Sequence, residues 1–329
     1  MSRPTADSCK RHWRKAGIQR PPSPNTIDHH MNASSWVARA ELAQQALRSC
    51  RLCPRDCDVD RTASSRGAFC RLASQAYVYK EYVSVGEEPA VCPTWLIDVS
   101  GCSLRCLFCS EWPQVAHPDR LPATEMLPTW FAATHAKRRQ QGAKTISFVG
   151  GDPTPSLPAI AKCLGHVADP LPVIWNCNGL LGDQALTVLS GAVATWSVDA
   201  KFGNAACAKR LAGVENMDYF GQWSRIVATA LAQESIAGLP RLIIRHLVMP
   251  DHVQCCTVPI AEQLRDQLAG ANRADVMVNW MTTYVPPSDR RAHLIRTPEL
   301  GRWNDARAVA HAIAMGEAIL GDLLVVNGR

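Results

Sequence analysis

The sequence predicts an α/β protein: a partial (β/α)6 barrel of the TIM type with a small Cys-rich N-terminal extension. Three observations predict it. Short apolar, β-branched runs recur six times from Thr94 onward. Helical patterning follows each run, as parallel strands with crossover helices require. The repeating part spans about 235 residues, whereas an eight-unit barrel takes about 250, so six units leave the barrel incomplete. An open Rossmann-type sheet is the alternative, but no GxGxxG follows any run.

The elements follow in order. Residues 1–32 form a basic, Pro-containing tail expected to be disordered, and Met31 offers an alternative start. Residues 33–93 form the extension: a short helix over 34–49, a segment dense in Cys and turn residues, then an extended stretch, AYVYKEYVSVGEEP. Residues 94–329 form the barrel. Its runs are 94–99, 145–149, 172–177, 193–199, 241–249 and 274–280. Helices are predicted at 124–141, 156–168, 183–190, 205–236 (two), 257–270 and 299–320.

Composition narrows the function classes. Hydrophobic residues make up 47% and charged residues 19%, a globular balance. No run approaches the roughly 18 apolar residues of a membrane helix, so no membrane partner is expected. Of the net charge of +6, the tail carries +4. The folded part is nearly balanced, and nucleic acid is not an expected partner. No apolar stretch follows the charged start as in a secretory signal, which points to the cytoplasm. Disulfides are rare there, so 14 cysteines point to metal or redox chemistry.

Chemistry in parallel α/β folds gathers at the C-terminal ends of the strands. After the first run stands GCSLRCLFC, which places Cys102, Cys106 and Cys109 in a CxxxCxxC pattern. Three thiolates in so short a loop suit three corners of an iron–sulfur cubane and leave one iron open. GGDPTP after the second run lets backbone at Gly150 and Gly151 approach a ligand, with Asp152 beside it. Asn176 and Asn178 end the third run, and Cys177 between them is expected to face away as a structural residue. Asp199 and Lys201 alternate across Ala200, so both side chains can point one way. Arg245 and His246 interrupt the fifth run, and one of the two should face inward. Asn279, Met281 and Tyr284 follow as contact candidates on the sixth.

Upstream, Cys50, Cys53, Cys57 and Cys70 provide four thiols, enough for a closed zinc site or a fully ligated cluster. Their spacing does not choose between the two metals. Cys9, Cys92, Cys163, Cys177, Cys207, Cys255 and Cys256 show no ligand spacing, with Cys92 kept as an accessory-ligand candidate because it lies near Cys102.

The CxxxCxxC loop, with the aromatic Phe108 before its last cysteine, resembles the signature of the radical S-adenosylmethionine (SAM) superfamily. The resemblance implies that Cys102, Cys106 and Cys109 hold a [4Fe–4S] cluster. It implies that the open iron binds SAM and that SAM is cleaved to a 5′-deoxyadenosyl radical. Gly150, Gly151 and Asp152 resemble the family's GGE motif, Asn176 to Gly179 its TNG segment, and Asp199 with Lys201 a DxK motif. Arg245 and His246 stand where the family places a basic residue on SAM. Gly150, Gly151, Asp152, Asn176, Asn178, Asp199, Lys201, Arg245 and His246 are thus the implied cofactor-binding set. An electron donor such as flavodoxin or ferredoxin is the implied partner.

The upstream block, VGEEP and RHLVMP narrow the resemblance to an uncharacterised subgroup of pyruvate formate-lyase activating-enzyme homologues. That subgroup implies an oxidoreductase, and a glycyl-radical enzyme would make its substrate a protein. The chain departs from it at AVCPTWLIDVSGC, at CSEWP and at MTTY, the last on the expected substrate side. Two rival classes are a non-catalytic zinc-binding interaction protein and an iron–sulfur electron-transfer protein.

Overall fold

The computed structural model describes residues 33–118, 122–215, 217–287 and 296–327. The predicted tail of residues 1–32 lies outside the described residues. The six predicted runs form six parallel strands: β2 (Thr94–Val99), β4 (Thr145–Gly150), β5 (Val173–Cys177), β6 (Thr195–Asp199), β7 (Leu242–Leu247) and β8 (Val276–Met281). Three further strands complete the sheet. β1 (Tyr77–Ser84) pairs antiparallel with β2, β3 (Thr124–Glu125) pairs antiparallel with β1, and β9 (Leu324–Asn327) pairs parallel with β8. The order is β3-β1-β2-β4-β5-β6-β7-β8-β9, a mixed sheet with two ends.

Between the strands run α2 (Trp112–Ala116), α3 (Pro128–Gln140), α4 (Leu157–Leu164), α5 (Asp183–Leu189), α6 (Ala205–Ala212), α7 (Tyr219–Ala232) and α8 (Val258–Gln267). α9 (Ala306–Leu320) follows β8. The extension opens with α1 (Ala33–Ala46), which packs on α4 and α5. No described helix is long and apolar enough to cross a membrane.

The strands differ sharply between their two faces. On one face Ile97, Phe148, Trp175, Trp196, Leu242 and Val276 lie in a single register row, all fully buried. Burial of side chains this large contributes roughly 1.5–3 kcal/mol each, so this row anchors the sheet to its helices. On the other face a second row joins Asp199, Arg245 and Asn279. The period of two within each strand separates the rows. Asp199, Arg245 and Asn279 thereby face away from the main core.

Three elements of the sheet escaped the sequence. β3 lies inside the helix expected over 124–141, which begins instead at Pro128. β9 is four residues at the chain's end, too short to show a period. β1 was expected only as an extended stretch of the extension. It pairs with β2 over residues 78–84, so this part of the extension is built into the sheet.

Candidate functional site

Parallel strands point one way, so the loops after β2, β4, β5, β6, β7 and β8 share one end of the sheet. The cysteine loop leaves β2 there. Its backbone is fixed from both sides. Ser100 N–H donates to Tyr77 O (2.8 Å) and Gly101 N–H to Gln114 O (3.1 Å). Arg105 N–H donates to Ala212 O (3.2 Å) and Leu107 N–H to Leu211 O (2.8 Å). The last carbonyls of α6, which have no partner within their own helix, thus grip the loop.

Cys102 and Cys106 are buried and Cys109 is half-buried. Cys102 Sγ accepts from Leu104 N–H at 3.3 Å and from Asn178 Nδ2 at 3.4 Å. Burial pushes the Cys102 thiol well above its usual range, with Asp152 next in the same direction. A thiol in such surroundings becomes a thiolate when a cation replaces its proton.

The Gly-Gly turn meets this loop directly. A Cβ on Gly151 would stand 2.0 Å from Gly101 O, so the position admits only glycine without displacing backbone. Asp152 is buried and accepts from Ser103 Oγ and Thr154 Oγ1, each at 3.4 Å. Burial pushes its carboxyl up to about 7, against hydrogen bonds from the Asn178 backbone and Thr154. Asn178 also donates to Ser103 Oγ at 2.8 Å, and its Oδ1 is held by Leu180 N–H at 3.1 Å. Gly151, Asp152 and Asn178 therefore converge on the cysteine loop. Asn176 is buried on the strand below. Cys177 faces the main core, as the alternation of β5 predicts.

Asp199 and Lys201 do point together, with Nζ 2.5 Å from Oδ2. Burial opposes the lysine's charge, but the carboxylate beside it keeps the pKa above the usual lysine range. Tyr219, which the sequence did not single out, links this pair to the asparagine loop. Its hydroxyl lies 2.9 Å from Asp199 O and 3.2 Å from Asn178 O, and it accepts from Lys201 N–H at 3.0 Å.

Arg245 and His246 part company. Arg245 lies on the polar face and is committed to the VGEEP acids: Nε reaches Glu88 Oε1 at 2.9 Å and Nη2 reaches Glu87 at 2.6 Å. Asn279 Nδ2 donates to the same Glu88 oxygen at 2.7 Å. His246 lies on the core face against Trp280. Its Nδ1 is 2.7 Å from Ala200 O and its Nε2 2.9 Å from Thr257 Oγ1. Both ring nitrogens, expected from the resemblance to serve a cofactor, are used inside the fold.

Burial lowers His246 to about 4. The unfolded chain binds this proton near pH 6.5, so stability is complete above that value and falls as pH drops toward 4, by about 3 kcal/mol at most. Urea midpoints between pH 7 and 4.5 should therefore fall less steeply in His246→Asn than in the wild type. Identical slopes would remove His246 from the account.

Asp98 was also missed. It is buried at the end of β2 on the polar face, and burial lifts its carboxyl to about 6. A polar residue at alternate positions of an apolar run (Asp98, Asp199, Asn279) is the signal that finds such groups.

The upstream block lies against the same loop. Arg55 Nε donates to Ser103 O at 2.7 Å, and Arg55 and Arg105 both lie over the Phe69 ring, at 3.8 and 4.3 Å from its centroid. Arg61 is fully buried and donates to Cys50 Sγ (3.4 Å), Leu72 O, Ala73 O and Pro155 O. Phe69 N–H donates to Cys57 Sγ at 3.5 Å. Three guanidinium groups thus offset the negative charge that thiolates here would carry.

The cysteines without ligand spacing divide as well. Cys163 and Cys177 belong to the core. Cys92 precedes β2 while Cys102 follows it, so a strand's length separates them and the accessory-ligand expectation for Cys92 does not hold. Cys207, Cys255 and Cys256 do converge, with His252, contrary to the sequence reading. Cys9 lies outside the described residues. A cavity of about 1140 Å³ beside α1 and α4 is lined by none of the cysteines.

Comparison with known proteins gives one curated relative and a set of distant folds. The uncharacterized protein MJ0674 of Methanocaldococcus jannaschii is 32% identical over 290 residues, covering 87% of this chain and 79% of that protein. No family profile matches. Among solved structures, Streptococcus suis SuiB bound to S-adenosylmethionine aligns with a TM-score of 0.44 and 11% identity, over 69% of this chain. The aligned chain spans about half of SuiB (48%). QueE from Escherichia coli aligns with a TM-score of 0.39 and 12% identity, over 78% of this chain and 95% of QueE.

Proposed function

The chain belongs to the family of the Methanocaldococcus jannaschii protein MJ0674, whose name carries no activity, and we propose from the site itself that it is a radical SAM enzyme. One observation carries the reading. The thiols of Cys102, Cys106 and Cys109 share a single loop at the end of β2, clamped by α6 and floored by Gly151 and Asn178.

The donor set fits a [4Fe–4S] cluster: three thiols from one loop, a side-chain N–H donor aimed at one sulfur, and no fourth cysteine within the motif. Bound there with SAM, such a cluster supplies the electron that splits SAM into methionine and a 5′-deoxyadenosyl radical. The chain's own residues bind and orient. Cys102, Cys106 and Cys109 would hold the metal, and Gly150 and Gly151, packed on the backbone of Val99 and Gly101 where a ligand was expected, seat the loop. Asp152, Asn176, Asn178, Asp199 and Lys201 offer acceptors and a cation to the amino and carboxylate groups of methionine. Arg245, tied to Glu87 and Glu88, orients the polar face next to them. Cys50, Cys53, Cys57 and Cys70 offer four thiols for a companion metal site, zinc or iron–sulfur. The Asp199–Lys201 pair favours the activating-enzyme type, with flavodoxin or ferredoxin as electron donor.

Anaerobic reconstitution followed by dithionite and SAM is expected to yield 5′-deoxyadenosine, read by chromatography and mass. Wild-type protein that binds iron yet forms none would overturn the proposal.

A further inference from the structure

Cys207 sits on α6, whereas His252, Cys255 and Cys256 lie 45 and more residues downstream, in the turn that follows β7. Their ligand atoms all lie within 4.8 Å of one another. Five of the six separations are resolved individually. Cys207 Sγ is 3.8 Å from both His252 Nδ1 and Cys255 Sγ. His252 Nδ1 is 3.2 Å from Cys255 Sγ and 3.8 Å from Cys256 Sγ, and the two neighbouring sulfurs are 4.0 Å apart. A tetrahedral zinc with Zn–S of about 2.3 Å and Zn–N of about 2.0–2.1 Å has S–S edges of about 3.8 Å and S–N edges of about 3.5 Å. The four atoms therefore already stand close to the corners of that tetrahedron.

Three independent features support the corners. Residues 253–257 form a π-helical turn, with Cys256 N–H and Thr257 N–H both directed at His252 O. That turn presents positions three and four after His252 on the histidine's own side. His252 is buried, and its Nε2 faces Glu299 Oε1 at 3.5 Å. A metal-bound imidazole is commonly oriented by such a carboxylate on its second nitrogen. Arg210 holds that carboxylate in place in turn, with Nη1 2.8 Å from Glu299 Oε1. Gly203 permits the approach of the two segments: a Cβ there would stand 2.4 Å from Cys256 Cα. Asn204 Nδ2, beside it, is 3.4 Å from Cys207 Sγ.

We infer that Cys207, His252, Cys255 and Cys256 form a closed, structural zinc site of the Cys3His type, separate from the iron chemistry proposed for the cysteine loop. Four protein ligands leave no open position, so the site is for architecture and not for catalysis. It pins the start of α6 to the turn after β7. The far end of α6 holds Arg105 and Leu107 of the cysteine loop through its carbonyls. Zinc at one end thus stiffens the helix that grips the loop at the other.

Metal analysis and thiol mapping on the full chain test this. Zinc-supplemented wild type should carry about one zinc per chain at this site, and Cys207→Ser and His252→Ala should each lose it while iron content is unchanged. The wild type alone gives a second readout that needs no folded variant. Alkylation mapped by peptide mass should label Cys255 at least about tenfold faster after zinc is chelated, because thiolate bound to metal is not free to react. Cys255 labelling that ignores the chelator would overturn the site. So would a zinc content in both variants equal to that of the wild type, or a Cys207–Cys255 disulfide in freshly purified protein.

Discussion

Cys106→Ala, reconstituted anaerobically beside the wild type, is expected to lose 5′-deoxyadenosine formation by at least about a thousandfold, which is over 4 kcal/mol of barrier. The size follows from the geometry. Cys106 is one of three thiols on a loop whose backbone is already fixed by α6, so no neighbouring cysteine can slide into its place. Two thiols hold a cubane cluster poorly, and iron should fall by about four per chain at this site. The informative control is Cys163→Ala. Cys163 is also buried, but it faces α3 and donates to Met126 O at 3.4 Å. That variant should keep both iron and product formation while losing a modest amount of stability, about 1–2 kcal/mol, for the cavity it leaves. Product from Cys106→Ala equal to the wild type would sink the radical SAM reading. The zinc inference would survive that result, because it rests on other residues and is read by zinc and not by product.

Local patterns in the sequence reveal much of this architecture. The six parallel strands appear as runs because residues buried on both faces leave continuous apolar stretches. The cysteine loop, the Gly-Gly turn and the Asp199–Lys201 pair are each contiguous or nearly so, and spacing alone can find them. What the sequence hides depends on distance. Cys207 and the HVQCC segment are 45 residues apart and meet only because the start of α6 and the turn after β7 lie at the same place. Neither half resembles a metal motif alone. Tyr219 links two loops through one hydroxyl, and nothing in its neighbours marks it. Arg245 and His246 show the opposite limit. The sequence places two basic residues on β7 and cannot say which faces which side. Strand register gives Arg245 to the polar row and His246 to the core.

Arg245→Met is the variant expected to unfold the protein most readily without touching a metal ligand. Its guanidinium joins Glu87, Glu88 and, through Glu88, Asn279, tying the lead-in to β2 onto β7 and β8. Glu88 is almost fully buried. Burial alone would raise its carboxyl, but Arg245, together with hydrogen bonds from Asn279 and the backbone, holds it below the ordinary carboxylate range. A depressed acid contributes stability that is present above its unfolded pKa and is lost as pH falls through the folded value. Removing Arg245 reverses this balance, because Glu88 then has burial without its cation. The loss at pH 7 should be about 3–5 kcal/mol, the cost of stranding a buried charge. Glu88 in the variant can relieve the strain by taking a proton, so the deficit against wild type should narrow as pH drops from 7 toward 5. Urea midpoints across that range measure both features. A double variant, Arg245→Met with Glu88→Leu, removes the stranded charge and should recover most of the loss. A double variant no more stable than Arg245→Met would mean that lost packing, and not the unpaired carboxylate, causes the effect.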